Sequence, residues 1–146
     1  MQVKSAFTVD KKDVHPAEWQ GGQMTHTRFY KTFTGEIVGS SIVEAIMMTP
    51  ESDGPAVYVG IERFECTILG RKGTFLLMHA ATHHASGGSA SWQIVAGSGT
   101  GELAGIRGEG QILPNHELAL SYELHPSWNS ELRTQNSELR TQNPEP

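Results

Sequence analysis

Three polar residues interrupt apolar runs in this chain and are the ones placed to do chemistry. Glu44 lies within Ile42-Val-Glu-Ala-Ile-Met-Met48, Glu62 follows Val57-Tyr-Val-Gly-Ile61, and His79 follows Phe75-Leu-Leu-Met78. A carboxylate or imidazole turned into an apolar interior must be paired or must shift its pKa, and both outcomes mark functional sites. Glu62, Glu44 and His79 are therefore the candidate catalytic residues, a carboxylate serving as general base or charge stabiliser. Tyr58, Trp92 and Arg28 are the candidate ligand contacts, Trp92 as an apolar wall. The competing explanation is that each polar group faces water on the outer side of its strand. Tyr58, Gly60, Glu62 and Phe64 share one face and Val57, Val59 and Ile61 the other, and alternation leaves open which is inward.

Other motifs promise more than their context supports. Gly99-Thr-Gly-Glu-Leu-Ala104 has the G-x-G-x-x-G/A spacing of a dinucleotide-binding turn. Such a turn needs a helix after the glycines to hold the pyrophosphate. Glycines at 105, 108 and 110 would each cost that helix about 1 kcal/mol, so the segment 97–101 is read as a turn between strands. No lysine follows to make a phosphate loop. His79-Ala-Ala-Thr-His83-His84 would share a face on a helix, but on a strand His79 and His83 stand about 13 Å apart. No metal is expected. Ser98 sits in Gly-Ser-Gly without a nucleophile elbow, and Cys66 reads as a buried, inert thiol.

The bulk properties bound what these residues can serve. The chain has 146 residues, enough for one domain with a core. A net charge of −5 argues against non-specific nucleic-acid binding. No run is long enough to span a bilayer, the opening segment lacks the apolar stretch of a signal peptide, and one cysteine excludes an internal disulfide. The expected location is the cytoplasm.

The elements that must position the candidates have a period of two. Leu118, Leu120, Tyr122 and Leu124 alternate with Ala119, Ser121 and Glu123. Strands are expected at 3–9, 25–33, 36–48, 56–66, 74–82, 89–95, 103–111 and 118–124, with a hairpin at Thr34-Gly35. Eight strands with short links and no convincing helix point to an all-β fold, an antiparallel barrel spanning residues 1–128. Residues 129–146 carry a perfect repeat of Asn-Ser-Glu-Leu-Arg-Thr-Gln. One leucine per heptad is too few for a coiled-coil seam, and the expectation is a disordered tail.

The succession Lys31-Thr-Phe-Thr-Gly-Glu36, Tyr58-Val-Gly-Ile-Glu-Arg63, Leu69-Gly-Arg-Lys-Gly-Thr-Phe75 and Val95-Ala-Gly-Ser-Gly-Thr-Gly-Glu-Leu-Ala-Gly105 resembles the bacterial family called domain of unknown function 3224. The likeness runs from about Phe7 to Tyr122, and the Gly-Ser-Gly-Thr-Gly-Glu-Leu run is its most specific part. The resemblance implies an eight-stranded antiparallel barrel, similar in architecture to plant allene oxide cyclase and to dirigent proteins. It brings no activity and no catalytic residues with it. A small barrel can enclose one ligand. The expectation is thus a small hydrophobic metabolite bound in the lumen, with cofactor-free isomerisation or cyclisation as its chemistry. The alternative is a filled, non-catalytic barrel acting through oligomerisation, a homodimer among the options, or through partner binding on its outer surface.

Overall fold

The computed structural model describes residues 1–125 and Trp128; the repeat tail expected over 129–146 lies outside the described residues. Eight strands follow one another in chain order: β1 (Gln2–Ala17), β2 (Gly22–Gly35), β3 (Ile37–Pro50), β4 (Ala56–Ile68), β5 (Arg71–His84), β6 (Gly87–Ile94), β7 (Ile106–Leu113) and β8 (Glu117–Leu124). Each pairs antiparallel with the next, and β8 pairs with β1 to close the ring. The fold is an all-β closed barrel. Among the described residues no helix is long and apolar enough to cross a membrane.

Most strand ends differ from the sequence expectation by one to three residues, and two differences have a clear physical reason. Strand β1 runs to Ala17 rather than stopping at Val9, because a bulge between Val9 and Lys11 flips the alternation. Beyond the bulge Lys11-Lys-Asp-Val-His-Pro16 shows no inward apolar series, so nothing in its pattern announces a strand. Strand β7 starts at Ile106 instead of Leu103; Leu103 is fully buried at the end of a 3-10 turn, Gly101–Leu103.

That turn belongs to the link between β6 and β7, which folds across one end of the barrel. Thr100 donates its N–H to the Thr74 carbonyl, and its hydroxyl meets the Thr74 hydroxyl at 2.5 Å. Ser98 Oγ accepts from Leu76 N–H at 3.0 Å and donates to the Val95 carbonyl at 2.6 Å. A Cβ at position 73 would collide with the Thr100 carbonyl oxygen, so only glycine lets the link lie flat on β5. Gly101, at φ +62°, takes the left-handed turn that follows. The glycine motif therefore closes a barrel, and no helix follows it to hold a phosphate.

Beneath this cap the interior is apolar and filled. Phe33, Ile37, Phe64, Ile68, Phe75, Leu77, Leu103 and Ile106 are at most 1% exposed. The Phe64 ring stacks on Phe75 with centroids 4.5 Å apart and tilts against Phe33 at 5.2 Å. At the opposite end the wall is incomplete. Strand β8 covers β1 only from Gln2 to Ala6, and β6 meets β7 only through Trp92–Gly110 and Gln93–Glu109. The far halves of β1 to β6 extend past the short β7–β8 hairpin, and the barrel opens there.

Candidate functional site

Pairing settles which faces are inward. On β4, Glu62 shares its face with Phe64, Cys66 and Ile68, all buried, so Tyr58, Gly60 and Glu62 point into the barrel. On β5 the inward series is Phe75, Leu77 and His79. Cross-strand register sets His79 opposite Gly60 on one side and Trp92 on the other. Neighbouring inward positions are small: Ala45 lies opposite Gly60, and Gly110 opposite Trp92. Those small residues leave room in the barrel for the imidazole and indole side chains.

The result is a continuous polar chain inside the barrel. Glu62 is 0% exposed. His79 Nε2–H donates to its Oε1 at 2.8 Å, Ser41 Oγ–H donates to Oε2 at 2.5 Å, and the Lys31 ammonium stands 3.5 Å from Oε2. Lys31 also lies 4.5 Å from the Phe7 ring centroid, a cation–π contact that helps to hold a nearly buried charge. On the far side of the imidazole, Trp92 Nε1–H donates to His79 Nδ1 at 3.1 Å, and the Tyr58 hydroxyl lies 3.3 Å from the same nitrogen.

The hydrogen bonds fix the protonation pattern. An indole N–H can only donate, so Nδ1 of His79 must accept. The ring proton is then on Nε2, aimed at the carboxylate, and the imidazole is neutral while the Trp92 bond is made. Burial alone would push the Glu62 carboxyl up, but the hydrogen bond from His79, the Lys31 charge and the Ser41 hydroxyl together hold it below its usual range. Glu62 is thus a firmly ionised carboxylate with both oxygens engaged. A carboxylate so held is a poor proton acceptor, and what the arrangement lets it do is orient the His79 ring. Burial, with the Glu62 charge behind it, pushes the Tyr58 hydroxyl up to about 12, so it stays a donor at neutral pH.

Four of the six residues singled out in the sequence come together here: Glu62, His79, Tyr58 and Trp92. Glu44 and Arg28 do not. They lie on the outer face, where Arg28 Nη2 donates to Glu44 Oε1 at 2.9 Å and Arg63 approaches the same oxygen at 3.5 Å. Both side chains are about half exposed. The cause is parity: Val43 and Ala45 are the inward residues of β3, so Glu44 between them must face out. Lys31 and Ser41 were missed by sequence reasoning. The signal for Lys31 was its position two residues before the apolar Phe33, on the same strand face. Among the described residues no group of three or more His, Cys, Asp or Glu side chains is gathered to hold a metal ion. Cys66 is buried among apolar neighbours, which pushes its thiol up to about 12 and keeps it unreactive.

A family model described as "Protein of unknown function (DUF3224)" matches residues 3–125, which is the whole barrel. The chain belongs to this family. A solved DUF3224 structure, a protein of unknown function from Shewanella oneidensis MR-1, is similar with a TM-score of 0.73 and 26% identity, covering 86% of this chain and 98% of that one. No curated protein matches the chain. The DUF3224 barrel thus comes with a shape, and any function has to be argued from its interior.

Proposed function

We propose that this protein binds a small, mostly apolar molecule in the open half of its barrel, with the Glu62–His79–Tyr58–Trp92 chain as the floor of the site. One observation carries the reading: a fully buried carboxylate is partnered at every oxygen, and the network it anchors ends in two half-buried aromatic side chains, Tyr58 and Trp92, on the inward face. Packing alone would be served as well by apolar residues, since a buried ion pair contributes little net stability. The wall above the floor supports access. Met47, opposite Tyr58, is 39% exposed although it faces inward, and Ala90 is exposed in the same row. A groove of about 660 Å³, bordered largely by outward residues of β1, β7 and β8 such as Gln2, Lys4, Glu109 and Ser121, meets Trp92, Ala90 and Gly110 at the gap between β6 and β7. That falls within the range of small-molecule sites.

If chemistry occurs there, it is proton transfer without a cofactor, with His79 as the exchanging group and Glu62 holding its tautomer. The test is a titration with toluene and acetophenone, followed by the indole N–H resonance of Trp92, which is assigned by Trp92→Phe. The expected result is a saturable shift that Ala81→Leu or Ala90→Leu removes by filling the mouth. Lack of any shift with either probe overturns the reading.

A second reading rests on the outer wall. Val59, Ile61 and Met78 are 38–44% exposed, Ile46 lies beside Val59, and Ile61 lies beside Met78. Charges of both signs, Arg28, Arg63 and Glu44, border this patch. A patch that carries both signs is self-complementary under a two-fold axis, so its occupant is a second copy of the chain. Sedimentation should then give a dimer that Ile61→Glu converts to a monomer; a monomeric parent protein would dispose of this reading.

A further inference from the structure

Resting on the lumen site proposed above, we infer that its ligand carries a neutral hydrogen-bond acceptor, a carbonyl or ether oxygen, rather than a carboxylate or an ammonium group. The inference follows from which hydrogen-bonding atoms remain uncommitted at the floor. His79 Nδ1 has one lone pair and receives the Trp92 N–H. Its Nε2–H is spent on Glu62. Both Glu62 oxygens are engaged, and the residue is inaccessible. What remains toward the mouth are hydroxyls on inward positions: Thr27, which donates to Thr25 at 3.3 Å, Thr25 itself, and Tyr58, which is half-buried and sits at 3.3 Å from a nitrogen already occupied. That contact is long for an O–H donor. Its proton is free to turn to a better acceptor.

Charge points the same way. The Lys31 ammonium is matched by Glu62, and His79 is neutral, so the floor has no net charge to offer. An incoming carboxylate would lie near the Glu62 charge and lose its hydration without gaining an unpaired cation. An ammonium would find only hydroxyl lone pairs and no vacant carboxylate to match its charge, and burying it without a counter-charge is costly. Lys12, the next cation on an inward register position, is seated 5.6 Å from the Phe29 ring on the exposed arm of β1 and β2. A carbonyl oxygen needs one donor and no counter-charge, and the site supplies that. Its apolar body would then rest against Trp92, Met47, Ala81 and Ala90.

The experiment compares four probes of one size: acetophenone, toluene, benzoate and benzylamine, titrated into the full chain and into Tyr58→Phe. Acetophenone should bind about three- to tenfold tighter than toluene, the range of one neutral hydrogen bond. Tyr58→Phe should remove that advantage and leave toluene unchanged. Benzoate and benzylamine should bind more weakly than toluene. Benzoate or benzylamine binding tighter than acetophenone overturns the inference while the lumen site survives. So does an acetophenone advantage that persists in Tyr58→Phe. No binding by any of the four removes the site and this inference together. The ranking in the parent protein decides by itself if the variant does not fold.

Discussion

Where β3 begins, the inward residues Ile37, Ile68 and Ile106 are fully buried under a folded link that adds its own buried Leu103; at the other end of the barrel, inward Met47 is 39% exposed and Ala90 is exposed. One half of the barrel is a core and the other half is a cup. The difference arises from partners and side-chain size. The closed half has the link 95–105 laid across it and aromatic rings within it. The open half lacks the cover of β7 and β8 and has Ala45, Gly60, Ala81 and Ala90 on its inner face. The polar chain from Lys31 to Tyr58 lies at the boundary, where the apolar filling stops. A buried charge is tolerated there because the closed half lowers the local dielectric and the partners are all in place.

The largest losses are expected in the apolar core and in the polar chain at its edge. Phe64→Ala should cost about 3–5 kcal/mol in chemical unfolding, because the flanking Phe33 and Phe75 rings cannot close over the gap. Lys31→Met should cost a similar amount, about 3–5 kcal/mol, by leaving Glu62 buried without its counter-charge. If Lys31→Met is neutral, the Lys31 charge does not hold the buried Glu62 in place. Acid provides the next test. The folded Glu62 holds its proton more weakly than the unfolded chain does, so its contribution is complete above pH 4.5, the ordinary value. That contribution is lost as pH falls through the lower folded value. Between the two, stability should rise with pH, and Glu62→Gln should flatten that slope in melting curves taken across the acid range.

Smaller effects sharpen the contrast with the open half and the outer wall. Tyr58→Phe removes a half-buried hydroxyl with one long contact, and the expected change in unfolding free energy is below about 1 kcal/mol. Glu44→Gln breaks a surface pair with Arg28 and should cost about 0.2–1 kcal/mol. Ala90→Ser, in the cup, should stay within about 0.5 kcal/mol. A loss of several kcal/mol there would mean that the cup is packed after all.

Glu44 and Glu62 show how far the sequence could be read. Each is a carboxylate inside an apolar run, and by pattern they are equivalent. In the fold one is fully buried and ionised while the other pairs with two arginines in water. Ile42 to Met48 is apolar on both faces, so the run does not reveal its inner side; β3 pairing with β2 and β4 does. The same limit hid Ser41, a small polar residue just before that run, and the far half of β1, where the bulge erased the alternation.

Local sequence by itself specified a great deal: extended segments from a two-residue rhythm, a hairpin at Thr34-Gly35, a turn rather than a phosphate loop at 97–101, and polar residues worth suspecting. These follow from backbone sterics and side-chain alternation, which act over a few neighbouring residues. Tertiary structure decided which face of each strand is inside, which end is sealed, and that Lys31, Ser41, Glu62 and His79 meet although 48 positions separate the first from the last. Those outcomes depend on register between distant strands, and a shift of one residue would exchange inside for outside.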